Sequence, residues 1–161
     1  MSFYQVFGRA LLCTGIIACL TGSCKQGEKT SSMTQEIPSD LKIIFGQQGT
    51  FAGRSMGYSI NGTGEVIRWE GKYPEEHTEA TATVSEDEIQ RLWRHAQKIG
   101  FLEMKEQAMS TVNMFITVTA DGESRRVTWV GRDEDALTPA QKFYDECLAV
   151  AKAALEQEER D

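Results

Sequence analysis

One stretch carries the residue types of a nucleophile: Gly53-Arg54-Ser55-Met56-Gly57 matches G-x-S-x-G. In enzymes built on that pattern, the serine sits on a strained strand-to-helix turn and a histidine takes its proton. Here the serine follows a glycine loop and precedes a strand pattern, and only His77 and His95 could serve as base. His95 falls inside a helical pattern. The small residues therefore read as a tight β connection, and no catalytic residue is expected. Metal binding is equally poorly supported. His77 stands in Pro74-Glu75-Glu76-His77-Thr78-Glu79, yet no second histidine or cysteine lies at a ligand spacing, so a solvated acidic loop is expected. Asp133-Glu134-Asp135 lacks the alternating ligands and glycine of an EF-hand and reads as the polar lead into a helix. There is no phosphate-binding glycine loop either, since Gly62-Thr63-Gly64 is a turn. The chain reads as a non-enzyme without cofactor or metal.

Modification chemistry is better supported. Arg9 precedes the uncharged run 10–20 (ALLCTGIIACL), and Thr21-Gly22-Ser23-Cys24 follows. A charged start, a short apolar core and small residues before a cut make a secretory signal. The run is too short to span about 30 Å of hydrocarbon as a helix. Cys24 directly after Gly22-Ser23 resembles the lipobox of bacterial lipoproteins, whose thiol receives diacylglycerol and becomes the new N-terminus. Ile16-Ile17-Ala18-Cys19 also fits, which makes Cys19 the alternative anchor. Cys24 is favoured because Lys25-Gln26-Gly27-Glu28-Lys29 begins a hydrated tether at once. Residues 1–23 are expected to be the signal and 24–38 an acylated cysteine with a flexible tether making no core contacts. Residues 39–161 should form one domain. With Cys13 and Cys19 removed and Cys24 acylated, Cys147 is left alone, and it should be a buried, inert thiol.

Removing the signal takes away Arg9 and no acidic residue, so the formal charge of −7 becomes −8. That acidity argues against nucleic acid, which needs a basic footprint. It also argues against electrostatic adhesion to an anionic bilayer, leaving the acyl chains as the membrane contact.

The elements that must hold these residues are well punctuated. Leu41-Lys42-Ile43-Ile44-Phe45 reads as a strand ending at Gly46, followed by the loop Gly46-Gln47-Gln48-Gly49-Thr50-Phe51-Ala52-Gly53. Tyr58-Ser59-Ile60 and Val66-Ile67-Arg68-Trp69 flank Asn61-Gly62-Thr63-Gly64 and should pair as a hairpin, because Asn and Gly tolerate positive φ. Residues 78–84 read as an edge strand. Ser85 with Glu88 forms a capping box, Val84 with Ile89 a hydrophobic staple, and Gly100 a helix stop. Residues 115–119 and 125–130 flank Asp121-Gly122 as a second hairpin. Thr138-Pro139-Ala140-Gln141 opens a last helix with an apolar stripe from Phe143 to Leu155, while 156–161 should fray. The order predicts an α+β fold, with an antiparallel sheet of about four to five strands and two helices on one face.

Four side chains are candidates for protein contact. Phe51 and Arg54 would be displayed by the glycine loop, and Trp69 and Trp129 end strands among polar residues. Large aromatics and arginine are the usual anchors of interfaces. Against this, glycines in strands often mark close backbone approaches, and strand-end tryptophans often pack on a sheet.

The Gly49-Thr50-Phe51-Ala52-Gly53 turn, the Val84-Ser85-x-x-Glu88 helix ending at Gly100-Phe101, and the flanking hairpins and last helix resemble the emfourin family. Those are small bacterial inhibitors of thermolysin-like metallopeptidases such as protealysin. The resemblance covers residues 41 to about 155 and implies peptidase inhibition. The chain also looks like uncharacterised lipoproteins of similar size from Bacteroidota-like bacteria. The expectation from sequence is a lipid-anchored protein of the bacterial envelope, in the periplasm or at the cell surface. Its partner would be another envelope protein or, in the alternative, a peptidase.

Overall fold

The computed structural model describes residues 36–49, 53–105, 113–130 and 138–160, all within one compact unit, Thr34–Asp161. The elements run β1 (Lys42–Gln48), β2 (Ser55–Asn61), β3 (Glu65–Gly71), β4 (His77–Thr83) and α1 (Glu86–Lys98). A short 3-10 turn (Phe101–Glu103), β5 (Asn113–Ala120), β6 (Glu123–Trp129) and α2 (Pro139–Glu158) follow. The fold is α+β, as expected. The sheet has six antiparallel strands in the order β4-β3-β2-β1-β5-β6, more than the four to five expected. The difference arises at β1, which pairs with β2 on one side and with β5 on the other. That double pairing welds two hairpins distant in sequence into one sheet.

Each hairpin turns as its residues dictate. Asp121 (φ 53) and Gly122 (φ 78) both adopt the left-handed region that a two-residue turn of this hand requires. The Asp40 carboxylate, just before β1, accepts both of that turn's amides at 2.8 and 2.7 Å. The β2–β3 turn works differently from the expectation: the Asn61 side chain accepts from Thr63 N and Glu65 N, and positive φ falls on Gly64. β1 also runs two residues past its expected end at Gly46.

Ser85 caps α1 by accepting from Glu88 N at 3.3 Å, and Gly100 adopts φ 61 just beyond the helix. Thr138 and Gln141 complete a reciprocal capping box on α2. α2 stays helical to Glu158, beyond the point where fraying was expected.

Both helices pack on the sheet face that carries Ile43, Phe45, Ile60, Val66, Ile116 and Val118. Leu92 and Trp93 of α1 and Phe143, Cys147 and Ala151 of α2 meet that face in one core. Glu146 of α2 binds Arg91 and His95 of α1 and so ties the helices together. Arg125 Nε donates to Leu102 O (3.0 Å), seating the 3-10 turn against β6. Ile37 packs against the same core, so the folded unit begins before residue 39 and part of the expected tether belongs to it.

Candidate protein-binding surface

The sheet face opposite the helices is also built up. Gly46 and Gly57 pair across β1 and β2, with Phe115 of β5 beside Gly46 and Trp69 of β3 beside Gly57. The two missing side chains leave room for two large ones: Trp69 and Phe115 lean together, with ring centroids 6.3 Å apart. The Arg126 guanidinium lies 3.9 Å from the Phe115 ring centre, and its Nη2 donates to Gln48 Oε1 at 2.6 Å.

The β3–β4 connection, residues 72–76, straps part of this face. Glu76 Oε2 accepts from the amides of Lys72 (2.5 Å) and Tyr73 (3.3 Å), which curls the connection and holds the Glu76 carboxyl below its ordinary range. Glu75, at φ 61, reaches back over the sheet to Lys42 Nζ (2.6 Å) and the Ser59 hydroxyl. Burial alone would push the Glu75 carboxyl up. The hydrogen bonds from Lys42 and Ser59, with the Lys42 charge, outweigh it and leave the carboxyl below the usual carboxylate range.

Strap and sheet enclose a groove of about 340 Å³ lined by Gln48, Ser55, Lys72, Tyr73, Pro74, Phe115 and Arg126. On the other side of the strap, a second cleft of about 490 Å³ is lined by Arg54, Glu70, Lys72, Glu76, His77 and Glu79. Both open at the same end of the sheet, where β1, β3 and β6 finish and β2, β4 and β5 start. Three exposed large hydrophobic residues also lie at this end: Met56 (48% exposed), Tyr73 (61%) and Val130 (59%).

The sequence candidates are distributed unevenly over this surface. Arg54 is there, exposed and paired with Glu70 at 3.1 Å. Trp69 (1% exposed) and Trp129 (8%) are buried, Trp69 against Phe115 and Trp129 edge-on to Tyr144, so neither presents an interface anchor. Of the two readings their polar sequence neighbours left open, packing on the sheet is the one observed, and it goes further than half-burial. Phe51, Cys19, Cys24 and Asp133-Glu134-Asp135 lie outside the described residues. Ser55 is the first residue of a strand and lines the groove, whereas His77 lines the other cleft and His95 binds Glu146 on the helix side. Among the described residues, no group of three His, Cys, Asp or Glu could hold a metal ion, and no helix is long and apolar enough to cross a membrane. Cys147 is buried, and loss of solvation pushes its thiol well above its ordinary range.

The chain matches no protein-family model and no curated protein. The site is therefore read from its own geometry. Sequence reasoning missed Met56, Lys72, Tyr73 and Arg126. The one signal available was Tyr73-Pro74 inside a polar turn, where a large aromatic has no core to join.

Proposed function

We propose that this chain is a lipid-anchored protein of the bacterial envelope whose folded unit binds another protein without catalysing a reaction. The observation that supports this reading most is that Met56 on the helix side of β2, Tyr73 on the strap and Val130 just after β6, all exposed, fall at the same end of the sheet as Arg54. Exposed apolar side chains grouped among charged ones mark interaction sites. The anchor would be a diacylglyceryl group on Cys24, with Cys19 as the alternative, and the unit would stand in the periplasm or at the cell surface. Intact mass spectrometry tests the anchor: a diacylglyceryl or triacyl adduct on a peptide starting at Cys24 is expected, and a free thiol there refutes it. Affinity capture from envelope membranes tests the surface. Tyr73→Ser and Arg54→Ala should lose a partner that Thr81→Ala on β4 keeps, and retention of every partner by the first two refutes the reading.

A second reading is inhibition of a thermolysin-like metallopeptidase. The hairpin–helix–hairpin–helix order that carries the emfourin resemblance is present, and it favours this reading. Titration against such an enzyme decides between them: inhibition at micromolar chain, lost in Tyr73→Ser, would replace the generic partner with a peptidase.

A further inference from the structure

We propose that the pocket between the end of α1 and the β5–β6 turn takes the guanidinium of an arginine side chain, with a main-chain carbonyl beside it, from an extended segment of another protein. The pocket lies at the other end of the sheet from Met56, Tyr73 and Val130, so this goes beyond the reading above and does not depend on it.

The argument starts from a donor. Trp93 of α1 is 3% exposed, and its Nε1 is buried with no hydrogen-bond partner. Such a group is costly to leave unmet and asks for an acceptor. The same ring lines a pocket of about 210 Å³ with Gln97, Phe101, Leu102, Glu103 and Asp121. Sites for whole small molecules run to about 300–1,000 Å³, so this one has room for a single side chain and its adjoining peptide group. A carbonyl that enters it stands beside the wall that carries the unmet N–H.

The mouth supplies a second argument. Glu70, Glu75, Glu79 and Glu146 each face a cation across an ion pair. The carboxylates of Asp121 and Glu103 have no ion pair and no hydrogen bond among the described residues. Glu103 folds over the end of α1, its Oε2 3.3 Å from where a Cβ on Gly100 would stand. Asp40 accepts the Asp121 and Gly122 amides and brings a third negative charge to the turn. The described lining holds no cation: Lys98, in the last turn of α1, is exposed and stands outside it, and Arg125 Nε is committed to Leu102 O. The negative end of the α1 dipole adds to the attraction for a cation. A guanidinium suits this arrangement better than an ammonium. Its planar fork gives separate donors to carboxylates on two different elements, and Phe101 and Leu102 can cover its methylene stem. A lipid headgroup suits it less, because its phosphate would meet three carboxylates.

The test uses the full chain in neutral detergent and the peptide acetyl-Gly-Arg-Gly-amide, with citrulline, the neutral isostere of arginine, in the control peptide. Binding is followed by amide and indole chemical shifts. The chain has three tryptophans, and Trp93→Phe assigns the Trp93 indole signal. The arginine peptide should move that signal and the amides of Gln97, Leu102 and Glu103, and should bind more weakly as salt is raised. The citrulline peptide should bind about tenfold more weakly or not at all, the ratio that one lost charge-assisted hydrogen bond gives. Asp121→Asn and Glu103→Gln should each cost about tenfold. Asparagine tolerates the φ of 53 at residue 121 and Asn-Gly suits the turn, so Asp121→Asn should keep its melting temperature and leave the loss attributable to charge. Equal binding of the two peptides, wild-type binding by Asp121→Asn, or an unmoved Trp93 indole signal overturns the proposal. So does tighter binding of phosphoethanolamine, a soluble lipid-headgroup mimic, at the same residues.

Discussion

Replacing Gly57 with alanine tests the architecture of the strapped face directly. A Cβ at residue 57 would stand 2.2 Å from Phe45 O, 2.7 Å from Trp69 Cζ2 and 2.9 Å from Gly46 Cα. Two of those atoms are backbone of β1, which is hydrogen-bonded on both sides, so no rotamer change relieves them. Overpacking a tight site costs about 1–3 kcal/mol, and a clash against backbone belongs at the top of that range, about 3 kcal/mol. For a unit of this size that is a fall of roughly 10 °C in melting temperature. Gly53→Ala is the control: φ there is 67 and nothing lies within 4 Å, so only the left-handed backbone is penalised, at about 1–2 kcal/mol. Thermal unfolding followed by near-ultraviolet circular dichroism reads both variants, and the Trp69 signal should change shape in Gly57→Ala alone. If Gly57→Ala costs no more than Gly53→Ala, the glycine pair is not what seats Trp69 and Phe115.

Three further outcomes are expected. Leu92→Ala opens the core and should cost about 2–5 kcal/mol, against about 1 kcal/mol for loss of the cap in Ser85→Ala, measured by urea unfolding; the reverse order would mean the helix face is misassigned. Asp40, Glu75 and Glu76 all lie below their ordinary values in the folded chain. Unfolded chains then bind more protons as acid is added, so their stabilisation holds above the ordinary values and fades as pH falls through about 5 to 3. The urea midpoint should drop over that interval, and less steeply in Glu75→Gln. A chain beginning at Glu36 should fold as well as the whole, while one beginning at Asp40 loses Ile37 and should melt lower, because Ile37 packs against the core and touches the β2–β3 turn at Gly62.

Local chemistry was legible in the sequence where one or two residues decide a conformation. Asp121-Gly122 has few alternatives to a tight hairpin, Ser85 has an amide to cap three residues on, and Gly100 ends a helix in a conformation other residues resist. What escaped depends on partners far away in the chain. All six strand segments were legible locally, but the pairing of Lys42 with Thr119, which joins them in one sheet, spans most of the folded unit and no local signal announces it. Trp69 illustrates the same limit: its neighbours are polar, yet its surroundings are Gly57 and Phe115 from two other strands. The acidic strap is solvated as expected except at Glu75, whose partners, Lys42 and Ser59, lie 33 and 16 positions away. Ile37 gave no periodic signal since it is a single apolar residue before a proline.

The position of Ile37 and Pro38 against the Gly62 turn gives the unit a polarity. The chain comes in beside the turns at Gly62 and Gly122, while Met56, Tyr73 and Val130 lie at the far ends of the strands. Seven residues of strand separate the two, roughly 23 Å at the rise of a β-strand. Any pull applied through the N-terminus therefore orients the unit like a weathervane on its post, its apolar tip directed away from whatever holds the chain.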